Sequence, residues 1–156
     1  MKILGVYDSV FGNTEQIARA IGAALAGAGE VQVQRVTTVT SAHLVGVNLL
    51  IVGSPTRQFN ATPDLTAWLA NLPAGALTGV RAAAFDTRID ASTIGFFFFR
   101  WLVASNYADK KMQKVLLEKG ATAAAPSTGF IVKDREGPLK EGELERASAW
   151  AKTLLT

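Results

Sequence analysis

The sequence contains no cysteine, which excludes disulfide scaffolding, thiolate-bound zinc, iron–sulfur clusters and catalysis by a thiol nucleophile. It contains a single histidine, His43, too few for a histidine-rich metal site. There is no long hydrophobic run. The most apolar window, 93–105, holds Phe96-Phe97-Phe98-Phe99 but is broken by Arg100 and is too short to span a bilayer. Charge of one sign is also scarce, since Lys and Arg exceed Asp and Glu by only 3. The nearest approach to a basic stripe is Lys110, Lys111, Lys114 and Lys119, interrupted by Asp109 and Glu118. It reads as a solvated helix face and not as a nucleic-acid surface. The opening residues, Lys2-Ile3-Leu4-Gly5-Val6-Tyr7, lack the apolar core and small-residue cleavage site of a secretory signal, and the expectation is a buried strand in a cytoplasmic protein. Any chemistry must then come from a borrowed cofactor or from hydroxyl, carboxylate and guanidinium groups.

What is present is an ordinary packing composition. At 156 residues, 49% hydrophobic and 19% charged, the expectation is one domain over 1–156. Residues 3–7 form a short apolar run, and from Asn13 to Leu25 the residues Ile17, Ile21, Ala24 and Leu25 recur at helical spacing before Gly27 and Gly29. Residues 31–36 alternate apolar and polar, as a strand at a sheet edge does. Residues 47–52 are apolar on both faces, which suits a central parallel strand. Thr62 and Pro63 open a helix that carries Leu65, Trp68, Leu69 and Leu72 and ends near Pro73.

The pattern continues with a fourth strand over 80–85, a helix over 107–119 ended by Gly120, and a fifth strand over 128–132. A last helix over 141–154 places Leu144, Ala147, Ala151 and Leu155 on one face. Alternating strands and helices imply an α/β sandwich around a five-stranded parallel sheet with right-handed crossovers. The polar second strand between very apolar first and third strands gives the order 2-1-3-4-5. In such sheets ligands sit beyond the carboxyl ends of the strands, where the strand order reverses. The loops to inspect follow strands one, three and four.

Ser9-Val10-Phe11-Gly12-Asn13-Thr14 lies between the first strand and the first helix, where backbone N–H groups and the helix dipole favour an anion. Ser9, Asn13 and Thr14 add donors, and Gly12 permits a tight turn. Two other phosphate loops do not match: there is no Gly-Lys-Ser/Thr ending of a P-loop, and no second glycine at Rossmann spacing. A receiver domain would need an acidic residue at the end of strand three, where this chain has Gly53-Ser54. Taken alone, the loop is also compatible with a plain strand-to-helix turn capped by Ser9 or Asn13.

The stretch Tyr-Asp-Ser-Val-Phe-Gly-Asn-Thr-Glu-Gln-Ile-Ala, residues 7–18, resembles the phosphate loop of the flavodoxin family, Ser/Thr-x-Thr-Gly-x-Thr. Ser9, Gly12 and Thr14 match in place, while Phe11 stands where the family has a hydroxyl residue and offers only its backbone N–H. Gly53-Ser54-Pro55-Thr56-Arg57-Gln58-Phe59 resembles the second loop of the family, which commonly begins Gly-Ser-Pro-Thr. The resemblance resumes in residues 129–147 and so spans nearly the whole chain. It implies a flavodoxin-like fold with flavin mononucleotide (FMN) as cofactor. The phosphate would sit on Ser9, Val10, Phe11, Gly12, Asn13 and Thr14. Ser54, Pro55, Thr56, Arg57 and Gln58 would lie along the ribityl chain and the ring edge, with Phe59 stacked on the ring. Asp86, Thr87 and Arg88, at the end of strand four, would bond the edge of the ring.

By the same resemblance the function is electron transfer through bound flavin to a redox partner protein, with no catalytic residue of the chain's own. One departure is charge. The family is usually strongly acidic, whereas this sequence has a pI near 9.4. Another is the segment Phe96-Phe97-Phe98-Phe99-Arg100-Trp101, which reads as a packed helix or as an apolar surface for a homodimer, a partner or an aromatic substrate. Two alternatives stay open: an FMN-dependent oxidoreductase acting on a quinone-like acceptor, and a non-redox binding module on the same fold.

Overall fold

Ile3, Leu4, Val6 and Tyr7 are all buried, so β1 (Lys2–Tyr7) is covered on both faces, as a central strand between helical layers must be. The computed structural model describes residues 1–90, 102 and 107–156. In it β1 pairs in parallel with β2 (Glu30–Arg35) on one side and β3 (Leu49–Pro55) on the other. β3 pairs with β4 (Arg81–Ile89), and the last position of the sheet is filled twice. β5 (Thr122–Ala123) runs beside the start of β4, and β6 (Thr128–Val132) beside its end. The order is therefore 2-1-3-4 followed by a split fifth position, all parallel. Pro126 lies in the break and has no N–H to give to a ladder.

The helices divide by the period-two alternation of the strands. Ile3, Leu49, Ile51, Ala83 and Phe85 point to one face, where Ile17, Ile21 and Leu25 of α1 (Asn13–Leu25) join Ala147 and Ala151 of the last helix. Leu4, Val6, Leu50, Val52, Ala82 and Ala84 point to the other. A single helical turn, α2 (Ser41–Leu44), precedes β3 and has no counterpart in the sequence pattern; in it His43 Nδ1 accepts a hydrogen bond from the Thr40 backbone N–H at 3.0 Å. The second face is covered by Leu65 and Leu69 of α3 (Pro63–Asn71) and by Met112 and Leu116 of α4 (Ala108–Glu118). Each fully buried Leu or Ile contributes roughly 1.5–3 kcal/mol relative to exposure. The sequence-based expectation of a three-layer α/β sandwich thus describes the molecule.

Two expectations need correction. Strand four does not stop at residue 85. β4 runs to Ile89, because β6 pairs alongside Asp86, Thr87 and Arg88 and because Thr56 N donates to Thr87 O at 3.0 Å. The last helix, α5 (Glu143–Thr153), buries Glu143, Ala147 and Ala151, with Leu154 just beyond it, and leaves Leu144 and Leu155 exposed. Its inner face is turned by one residue because the Glu143 carboxylate accepts the Ile131 N–H at 2.6 Å and pairs with Arg146. The 96–101 segment, on which the homodimer expectation rests, lies outside the described residues. Among the described residues no helix is long and apolar enough to cross a membrane.

Candidate functional site

The loop after β1 is built around Gly12. At φ 91° it occupies the left-handed region that a side chain strains, and it turns the chain into α1. Gly12 N donates to Ser9 Oγ at 3.1 Å, and Ser9 N donates to Asp8 Oδ1 at 2.9 Å. Asp8 is itself neutralised beneath the loop by Arg35 at 3.0 Å and accepts the Thr62 hydroxyl at 2.5 Å. Asn13 Nδ2 donates to Glu136 O at 3.1 Å, which ties this loop to the turn after β6. The first N–H groups of α1, at Asn13, Thr14 and Glu15, have no intrahelical acceptor, so the loop ends in a cluster of donors.

Just before its end β3 carries a buried hydroxyl residue. Ser54 Oγ accepts from Thr62 N at 3.0 Å and donates to Pro55 O, so its hydroxyl positions α3. Arg57 and Asn60 exchange backbone hydrogen bonds of 2.8 and 3.0 Å across a two-residue turn. Both turn residues, Gln58 (φ 49°) and Phe59 (φ 68°), lie in the left-handed region, the arrangement of a type I′ hairpin turn. Non-glycine residues there cost roughly 1–2 kcal/mol each. Lys111 Nζ, from α4, donates to Phe59 O at 2.7 Å and to Asn60 Oδ1 at 3.1 Å, which holds the turn in place.

The end of β4 carries a buried ionic cluster. The Asp86 carboxylate accepts from Thr56 Oγ1 (2.8 Å), Arg88 Nε (2.6 Å) and Asp109 N (3.0 Å). Arg88 also stands 2.9 Å from Asp109 Oδ1, an ion pair whose angles fall short of a hydrogen bond. The guanidinium lies 3.8 Å from the centre of the Tyr107 ring. Burial pushes the Asp86 carboxyl up to about 6, against the opposing pull of Arg88 and with help from the nearby Asp109 charge.

Between these three loops and the turn after β6 opens a cavity of about 530 Å³, within the range of small-molecule sites. It lies beyond the carboxyl ends of β1, β3, β4 and β6, where the strand order reverses. Ser9, Val10, Phe11, Asn13 and Thr14 line it from the first loop, and Pro55, Thr56, Arg57 and Gln58 from the second. Thr87 and Arg88 line it from β4. Four residues expected from the sequence do not line it. Gly12 shapes the turn, Ser54 and Asp86 are buried behind the wall, and Phe59 sits at the turn tip, 36% exposed.

Ile89, Val132 and Arg135 line the cavity with no expectation from the sequence. The signal for the last two is the strand-end rule itself, which applies to β6 as much as to β1, β3 and β4. Among the described residues the lining combines hydroxyls, a few apolar side chains and three guanidiniums, with no carboxylate. Such a wall suits an anionic ligand. Among the described residues no group of three or more His, Asp or Glu side chains is placed to hold a metal ion.

No protein-family model and no curated protein matches the sequence. Solved structures do match in fold. Oxidised flavodoxin 2 from Bacillus cereus superposes with a TM-score of 0.76 at 24% identity, covering 99% of this chain and 98% of that one. Oxidised flavodoxin 1 from the same organism gives 0.76 at 18%, covering 99% and 97%. A flavodoxin from the domain Archaea gives 0.74 at 22%, covering the whole of both chains.

Proposed function

With the fold of the flavodoxins as the starting point, we propose that residues 1–156 act as one FMN-binding unit that passes electrons to a redox partner protein. The observation that carries this reading is the position of the cavity. It spans the donor-rich loop after β1 and the loop after β3, at the switch point of the sheet, and at about 530 Å³ it has room for a mononucleotide.

The residues present fit FMN. The N–H groups at the start of α1, with Ser9 and Thr14, would hold the phosphate, and the lack of a carboxylate among the described lining residues spares it repulsion. Pro55, Thr56 and Gln58 would lie along the ribityl chain. Phe11, exposed on the cavity wall, would close over the ring and keep water from it. When bound, the flavin supplies the electron-carrying chemistry, and the chain supplies position and charge. Its place is the cytoplasm, and its partner is a redox protein.

The experiment is a titration of FMN and of riboflavin with purified, ligand-free protein, followed by loss of flavin fluorescence. Saturable one-to-one quenching by FMN, at least tenfold tighter than by riboflavin, is expected. Ser9→Asp retains an acceptor for the Gly12 N–H while placing a charge on the loop, and it should abolish the preference for FMN. Equal affinity for both flavins would remove the phosphate-loop assignment, and no quenching by either would remove the function.

A further inference from the structure

The three guanidiniums on the cavity are not equivalent. Arg88 is bracketed by two carboxylates, Asp86 at 2.6 Å and Asp109 at 2.9 Å, so its charge is more than cancelled when both are ionised. Arg57 and Arg135 differ. Among the described residues neither guanidinium forms an ion pair, the Asp134 carboxylate beside Arg135 being taken up by the Arg135 backbone N–H at 2.7 Å, and no Asp or Glu lines the cavity they face. Each stands on a turn at a strand's carboxyl end, Arg57 after β3 and Arg135 after β6. Arg57 lies 6.0 Å from the centre of the Phe11 ring, which fixes its charge at the mouth between the first two loops.

From this asymmetry we propose that Arg57 and Arg135 make the cavity prefer reduced flavin to oxidised flavin. The inference rests on the FMN reading above. Oxidised flavin carries an uncharged ring. Two electrons and one proton leave it with one additional negative charge, delocalised over the pyrimidine end. Two uncompensated cations on the wall stabilise that charge and leave the neutral ring almost unaffected, so reduction tightens binding. Arg88 contributes no such preference, because Asp86 and Asp109 already answer it. Among the described residues the surplus is therefore carried by two side chains outside the buried cluster, which can be neutralised without disturbing the core.

The test measures the affinity of the wild-type protein for FMN, oxidised and dithionite-reduced, at one pH and ionic strength, together with the midpoint potential of bound against free flavin. The same is done for Arg57→Gln, Arg135→Gln and the double variant. Each single substitution should weaken reduced FMN about threefold more than oxidised FMN, and the double variant about tenfold more, which is about 30 mV for a two-electron couple. Arg57→Lys and Arg135→Lys should retain the preference.

Two results would overturn the proposal while leaving FMN binding intact. In one, the variants weaken both forms equally, and the guanidiniums then serve the phosphate. In the other, affinity and potential do not change. Failure of the wild-type protein to bind FMN at all removes both readings and is seen before any variant is made.

Discussion

The hydroxyl of Thr14, in the first turn of α1, lies 2.8 Å from the hydroxyl of Thr87 in β4, and both residues are buried. This bond joins the first loop to the far wall of the cavity. Thr87→Val strands the Thr14 hydroxyl and should cost about 1–2 kcal/mol in urea unfolding. The double variant with Thr14→Val should lose less than the sum of the two single losses, since neither hydroxyl is then left alone. Strict additivity would mean that the bond has no energetic weight.

Gly129 in β6 is the floor on which Arg88 rests. A Cβ at that position would stand 2.1 Å from Arg88 Nε and 2.2 Å from Cζ, too close for non-bonded atoms. Gly129→Ala must therefore lift the guanidinium off Asp86 or push β6 away from β4. Either displacement should lower stability by about 1–3 kcal/mol, read as a fall in Tm. An unchanged Tm would show that the cluster has slack.

The raised Asp86 carboxyl gives stability a pH dependence of definite sign. Its folded value of about 6 lies above the ordinary 3.8, so the fold prefers the protonated form. That contribution is complete below about pH 4 and is lost as pH rises through about 6, at about 1.4 kcal/mol for each pH unit between the two values. Urea unfolding from pH 4 to 8 should show the wild-type protein losing ground to Asp86→Asn up to about pH 7 and then running parallel to it. Parallel curves throughout would place Asp86 at its ordinary value.

The Gln58-Phe59 turn carries strain that an Asn-Gly pair would not. Combining Gln58→Asn with Phe59→Gly supplies the residues that favour two positive φ angles and should stabilise the protein by about 1 kcal/mol. It should also weaken FMN, because Gln58, which lines the cavity, is shortened and the expected stacking partner Phe59 is gone. A variant that gains stability and keeps full FMN affinity would separate Phe59 from the ligand.

Much of this fold is legible in the sequence where one requirement dominates. α1 begins at Asn13 because Gly12 turns the chain there, and Ile17, Ile21 and Leu25 repeat on one face. α3 begins at Pro63 because Thr62 accepts the Leu65 N–H and proline suits the first helical position. The end of β4 is harder to read. Its apolar run stops at Phe85, and Asp86, Thr87 and Arg88 remain in the strand only because Thr56, Asp109 and β6 satisfy them from distant parts of the chain. The rotation of α5 is hidden for a related reason, since a buried Glu143 takes the place that Leu144 would claim on apolarity alone. In the cavity, the strand-end rule points to the turn after β6, but that Arg135 of this turn faces the ligand space follows from the fold, where Asn13 ties the turn to the first loop.

The split fifth position of the sheet has a consequence for how copies of this chain meet in a crowded solution. A bare strand at a sheet boundary invites the strand of a neighbouring molecule, and aggregation starts there. Here β5 is two residues long and ends before Pro126, while the outer side of β6 is already occupied. Ile131 N is taken by Glu143, Ile131 O receives Lys140 N at 2.9 Å, and Lys133 N is given to Pro138 O at 2.9 Å. The interruption that looks like a flaw in the ladder leaves an incoming strand almost nothing to pair with on that side.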